Sequence, residues 1–171
     1  MQLKGKTIIL TGAARIGQSI AEELKKQGAN LVITYFKSEN EAGRFGFPIQ
    51  ADVSKKEDIE KVVKTAKTKF GQIDGLIHMA AIYEKTEWKN LDENSWERNI
   101  NVIAKSSFLF GKIVGDEMLK NKGEVKGKII FFSDWSVLTR PYKDYLAYNV
   151  AKSAVVGLTK SFAKELAPHI L

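Results

Sequence analysis

The chain contains no cysteine, which excludes disulfide bridges and thiolate zinc sites. Its two histidines, His78 and His169, are too few for a histidine-built catalytic metal centre, so no metal is expected. No apolar run approaches the roughly 20 residues that cross a bilayer. The opening Met1-Gln2-Leu3-Lys4-Gly5-Lys6 lacks the charged-then-apolar order of a signal peptide. A cytoplasmic location without membrane attachment is therefore expected. Arginine is also scarce: 23 of the 27 basic residues are lysine, within a net charge of +7. The lysines are spread and interleaved with acids, as in Lys55-Lys56-Glu57-Asp58-Ile59-Glu60-Lys61. A nucleic-acid surface shows clustered cations and stacking aromatics instead, so no nucleic-acid partner is expected, only a mild pull on anionic ligands.

What is present is an ordinary globular composition. Hydrophobic residues make up 44% and charged residues 27% of 171, which predicts a single domain over residues 1–171. Two periodicities alternate along it. Thr7-Ile8-Ile9-Leu10 and Leu31-Val32-Ile33-Thr34-Tyr35 read as strands buried on both faces. Phe47 to Ala51, Ile73 to Ile77 and Lys128 to Phe132 supply three more. Between them, Ile16, Ile20, Ala21 and Leu24, then Ile59, Val62, Val63, Ala66 and Phe70, fall at helical spacing. Helices are also predicted over 94–121 and 145–167. Such alternation predicts the α/β class, with a doubly wound parallel sheet carrying helices on both faces.

Thr11-Gly12-Ala13-Ala14-Arg15-Ile16-Gly17 joins the first strand to the first helix. Small residues there let the backbone approach a pyrophosphate, and the helix N-terminus offers N–H groups and partial positive charge. This fits the turn of a Rossmann-type dinucleotide site, with Gly12, Arg15, Ile16 and Gly17 as candidate residues; the alternative is a tight strand-to-helix turn and nothing more. In such a fold the end of the second strand selects the nucleotide. Here Thr34-Tyr35-Phe36-Lys37-Ser38 has no acid before Glu39, and Arg15 adds a second cation. NADP(H) is thus favoured over NAD(H), with Tyr35, Lys37 and Ser38 as candidate contacts.

The chain resembles the short-chain dehydrogenase/reductases along nearly all of its length. The turn at 11–17 resembles that family's glycine-rich turn. Ala51-Asp52-Val53 matches its adenine-contacting Asp-Val, and His78-Met79-Ala80-Ala81 lies where the family has Asn-Asn-Ala-Gly. The resemblance implies cofactor contacts at Asp52, Val53, Ala80 and Ala81. Tyr148-Asn149-Val150-Ala151-Lys152 fits the Tyr-x-x-x-Lys motif. Among five tyrosines and 23 lysines, chance alone yields about 0.7 such pairs, so only its place after the fifth strand makes it informative. Residues four apart share a helix face, which aims Tyr148 and Lys152 into one crevice. A nearby ammonium, together with the charge of an oxidised nicotinamide, is expected to bring the phenol towards the working pH. The resemblance implies an oxidoreductase acting on a small-molecule substrate, in which Tyr148 hands a proton to the substrate and Lys152 assists and holds the nicotinamide ribose. The Arg-Ile-Gly ending, Asp134-Trp135 and the Ala-Ala ending are similar to the branch holding pteridine reductases, so the substrate class implied is a carbonyl or a pterin.

Four departures qualify the resemblance. The turn is one residue short near Arg15. Thirteen residues before Tyr148, where the family has serine, stands Trp135; Asp134 is the preferred stand-in, with Ser133 as the fallback. The helical asparagine is replaced by Ile103, and Asn101 lies about 200° away on a helix. Between Glu39 and Phe47 there is no room for the usual connecting helix, and the chain stops at Leu171, where a sixth strand would begin. The expectation is part of a longer enzyme, without its last strands and substrate lid. Tyr83, Trp135, Tyr142 and Tyr145 could line a flat substrate site, but packing is the preferred reading. Phe108, Phe110, Ile113, Val114, Val155, Val156 and Phe162 are expected to be mainly core. By resemblance alone, helices 94–121 and 145–167 would build a homodimer or homotetramer. The alternative to an enzyme is a nucleotide-binding regulatory or scaffold module without catalysis.

Overall fold

The structure, a computed structural model, describes residues 2–37 and 39–171. Five parallel strands form one sheet in the order β3-β2-β1-β4-β5. They are β1 (Thr7–Thr11), β2 (Asn30–Tyr35), β3 (Phe47–Gln50), β4 (Gly75–His78) and β5 (Lys128–Phe131). Along β1 the side chains alternate. Ile9 joins Val32 and Leu76 on one face, while Ile8 and Leu10 join Leu31, Ile33 and Ile77 on the other. Both faces are therefore apolar, and both carry helices.

On the first face lie α3 (Lys56–Phe70), burying Ile59, Val62, Val63 and Ala66, and α5 (Ser106–Met118), burying Phe110, Val114 and Met118. Glu57 and Asp58 in the first turn of α3 and Lys67 and Lys69 in its last complement the helix dipole. On the second face lie α1 (Ile16–Lys26), through Ile20, Ala21 and Leu24, and the connection from β2 to β3. That connection does contain a helix, α2 (Glu39–Gly43), which corrects the expectation of none. The short helix is seated by burial of Ala42 within it and of Phe45 just after it. Gly46 then passes so close to β2 that a Cβ would stand 2.6 Å from the Leu31 carbonyl oxygen.

The stretch expected as one helix over 94–121 is built in three pieces. They are α4 (Glu93–Asn99), a π-helical segment (Ile100–Lys105) and α5. The last helix, α6 (Leu146–Leu166), packs on the π segment, with Ile103 among Tyr148, Ala151 and Val155. Gly111 admits Phe162 to within 2.7 Å of where a Cβ would sit, which seats α6 against α5. The core expectation needs correction at Phe108, which is 47% exposed. Ile113, Val156 and Phe162 are half-buried, while Phe110, Val114 and Val155 are buried. Phe108 turns outward because its neighbours Ser107 and Phe110 take the inward positions of α5. After α6, Ile170 bridges Gly127 in parallel, and the Ile129 N–H donates to the Leu171 carbonyl, so the final residues begin to pair beside β5.

Candidate functional site

The strand order reverses between β1 and β4, and ligands of such sheets bind at the carboxyl ends of the strands near that switch. Thr11 ends β1 and His78 ends β4, paired side by side. The Thr11 hydroxyl oxygen accepts the N–H groups of Met79 and Ala80 at 3.0 and 3.1 Å, which ties the two turns together. Gly12, at φ 77°, sits so tightly on this loop that a Cβ would lie 2.9 Å from the Ala80 nitrogen. Gly17 is tighter still, with only 2.2 Å to the Gly12 carbonyl oxygen. The turn therefore requires both glycines. Its four-residue closure puts Arg15 at φ 52°, and Arg15 and Ile16 face solvent.

One expectation changes here. The N–H groups of Gly17 and Gln18 donate to the Ala14 and Arg15 carbonyls, so the short turn consumes amides expected to be free. Of the second-strand candidates, Tyr35 is half-buried and Lys37 exposed, while Ser38 lies outside the described residues. Burial and the neighbouring Glu39 carboxylate both push the Tyr35 phenol upward. Asp52 follows β3, its carboxylate accepting from the Ser54 N–H and hydroxyl, and Val53 packs on the core. Ala80 is half-buried and Ala81 exposed at the mouth of the β4 loop.

Beyond β5 the structure brings Tyr148, Asp134 and Lys152 together. The Tyr148 hydroxyl donates to Asp134 Oδ2 at 2.6 Å, and Asp134 Oδ1 accepts the Ser136 N–H at 2.9 Å. Lys152, one turn along α6 and 5% exposed, donates its ammonium to the Phe132 carbonyl at 2.7 Å. Ser133 is turned elsewhere, its hydroxyl donating to the Lys152 carbonyl at 2.8 Å. Asp134, not Ser133, therefore meets Tyr148. Trp135, thirteen residues before Tyr148, is 64% exposed on the rim.

The chain's own groups act against the expected lowering at Tyr148: burial and the Asp134 carboxylate both push its pKa up and hold it as a phenol. Burial alone would raise Asp134, but hydrogen bonds from Tyr148 and Ser136 and the charge of Lys152 prevail and lower it. Burial lowers Lys152, with Asp134 opposing. The site thus holds a protonated phenol beside an ionised carboxylate.

Aromatic residues surround it. Tyr83 stacks on Tyr145 at 4.5 Å and meets Tyr148 edge-on at 5.0 Å, while Tyr142 meets Tyr83, Tyr145 and Trp135 edge-on. These tyrosines pack on one another, the preferred expectation, and leave Tyr83 and Trp135 at the open edge. Ile103 fills the place expected of an asparagine and is wholly core. Thr11 and His78 are site residues absent from the sequence candidates, although both lie in the motifs quoted above. Ser106, which meets His78 through space, carries no sequence signal at all. No group of metal-ligating side chains occurs among the described residues, and no helix among them is long and apolar enough to cross a membrane.

Comparison with known proteins agrees with this fold. Residues 12–170 match the family described as enoyl-(acyl carrier protein) reductase. An NAD-dependent glycerol dehydrogenase of Listeria innocua is 34% identical, over 96% of this chain and 66% of its own length. A 3-oxoacyl-(acyl-carrier-protein) reductase of Staphylococcus epidermidis is 31% identical, over 95% of this chain and 69% of its own. The chain thus spans about two thirds of the curated relatives it matches. Among solved structures, a short-chain dehydrogenase from Burkholderia cenocepacia in complex with NADP superposes with a TM-score of 0.89 at 26% identity, covering 99% of this chain and 72% of that one. A short-chain dehydrogenase/reductase from Serratia marcescens gives 0.88 at 27% identity, covering 98% and 71%. On sequence, fold and topology alike, the chain belongs to the short-chain dehydrogenase/reductase family of oxidoreductases.

Proposed function

We propose that this chain forms the nucleotide-binding and proton-donating part of an NADPH-dependent reductase of a carbonyl or pterin-like substrate. The observation that carries the reading is the 2.6 Å bond from Tyr148 to an ionised Asp134, one helical turn from Lys152. The reduced nicotinamide supplies the hydride when bound. Its fit is supported by the tight turn after β1, where Gly12 and Gly17 pack against backbone too closely for any Cβ. Gly12, Arg15, Ile16 and Gly17 would surround the pyrophosphate, Gly17 by its lack of a side chain since its N–H is already donated to Ala14; Asp52 and Val53 would take the adenine, and Ala80 and Ala81 the nicotinamide side. Arg15 and Lys37, both exposed, offer cations to a 2′-phosphate, with the half-buried Tyr35 as a further candidate contact.

Tyr148 gives its hydroxyl proton to the reduced substrate atom, a carbonyl oxygen or a ring nitrogen. The Lys152 ammonium steadies the phenolate that remains. Asp134, as a carboxylate, accepts a substrate N–H but has no proton for a carbonyl, which favours the pterin-like class. Exposed Phe108, Leu146 and Val150 on α5 and α6 support self-association through those helices. The deciding experiment follows NADPH oxidation against ketones, 3-oxoacyl thioesters and dihydropterins. Tyr148→Phe should abolish turnover with NADPH fluorescence binding intact; retained turnover overturns the reading. The alternative, a nucleotide-binding module without catalysis, is favoured by Ile103 in place of a relay asparagine and predicts binding without turnover.

A further inference from the structure

His78 is buried at the end of β4 and takes no part in the proton transfer above. Its ring nevertheless makes two side-chain bonds to different parts of the fold. Nδ1 lies 2.8 Å from the Thr11 hydroxyl and Nε2 lies 2.9 Å from the Ser106 hydroxyl. Phe110 lies against the ring at 5.0 Å and Phe131 edge-on at 6.3 Å, so it has little freedom to turn.

The direction of every proton in this chain is determined by counting. The Thr11 oxygen already accepts two backbone N–H groups, from Met79 and Ala80, so its single hydrogen is left to donate to Nδ1. The Ser106 hydrogen goes to the Val102 carbonyl at 2.6 Å, so its oxygen is left to accept from Nε2–H. His78 is therefore neutral and carries its proton on Nε2. A cationic ring would put an N–H against the Thr11 hydroxyl, whose oxygen has no acceptor capacity left. The low titration point agrees, lowered to about 3 by burial and by the Lys152 charge.

The two ends of this chain are the two halves of the site. At one end are the Gly12 turn and the Met79–Ala80 loop, which close on each other. At the other is Val102 within the π segment, whose Ile103 packs under Tyr148. We propose that His78 is a positioning residue, whose Nε2–H tautomer ties the cofactor turns to the π segment that supports Tyr148 and so sets the spacing between nicotinamide and proton donor. A misplacement of about 1 Å between reacting groups can cost on the order of 100-fold in rate, so one imidazole spanning both halves has leverage.

This role rests on the proposed reductase reading, and three measurements keep the two apart. Imidazole ¹⁵N spectra of the cofactor-free chain need no activity. They should show His78 as the Nε2–H tautomer, without titration between about pH 5 and 8. An Nδ1–H tautomer, or titration near the ordinary histidine value, overturns the proposal. His78→Asn is shorter and cannot reach both hydroxyls. It is compared with Val62→Ala, a core change remote from the site, at matched distance below each melting temperature. His78→Asn should weaken NADPH binding by about fivefold and lower kcat by about tenfold, whereas Val62→Ala keeps both. If His78→Asn binds and turns over like wild type, or Val62→Ala shows the same losses, the positioning role is wrong. Should His78→Asn not fold, Ser106→Ala removes one arm and should lower kcat with NADPH binding nearly unchanged; unchanged kcat overturns the proposal. Wild type that binds no NADPH defeats the reductase reading instead, and the spectra then decide His78 alone.

Discussion

Tyr148 and Asp134 share a 2.6 Å hydrogen bond in which the phenol donates and the carboxylate accepts. The carboxylate keeps the proton on the tyrosine, because a phenolate beside it would add a second negative charge. With burial acting in the same direction, Tyr148 is held as a protonated phenol.

That arrangement has a pH signature. The proposed reduction needs Tyr148 protonated, so a raised phenol pKa should keep activity up as the solution becomes alkaline. Asp134→Ser removes the charge and should move the alkaline limb of kcat/KM to lower pH. A profile whose alkaline limb stays put would separate Asp134 from the proton donor.

Ile103 contributes shape to the bed of Tyr148. It packs against Tyr148, Ala151 and Val155 and is 1% exposed. Ile103→Ala should cost about 3 kcal/mol in denaturant unfolding, through lost transfer energy and a cavity. Turnover should fall further than the loss of folded protein accounts for, since the cavity lies beneath the donor ring.

The turn tolerates no side chain at its second glycine. Gly17→Ala would drive a methyl to 2.2 Å from the Gly12 carbonyl oxygen. NADPH affinity, read by fluorescence, should fall by about tenfold or more even where the protein still folds.

Arg15 should separate stability from binding. Its φ of 52° is costly for a residue with a Cβ, so Arg15→Gly should stabilise the chain by about 1 kcal/mol in chemical denaturation. The same change removes a cation from the turn and should weaken NADPH more than NADH. Lys37→Glu should act in the same sense, so that NADH becomes the better cofactor for the double variant.

Much of this was legible in residue order. The apolar run at 7–10, the switch to helical spacing at Ile16 and the glycines between them specify strand, turn and helix, because each is a local periodicity. The four-residue step from Tyr148 to Lys152 likewise put both on one helix face. Less legible was α2, since a five-residue helix is too short to show a period and is held by the burial of Ala42 and Phe45. The π segment was invisible too, because 94–121 is apolar enough to read as one uninterrupted helix.

The sequence by itself determined which chemical groups could meet: a tyrosine and a lysine one turn apart, glycines after a buried strand, and no thiol to compete. Tertiary structure decided which of them do. It turned Ser133 towards the Lys152 carbonyl and Asp134 towards Tyr148. It also joined Thr11, His78 and Ser106, scattered over nearly 100 positions, into one line of hydrogen bonds. The physical reason is that protonation and hydrogen-bond direction depend on burial and on neighbours through space, and neither is a property of residue order.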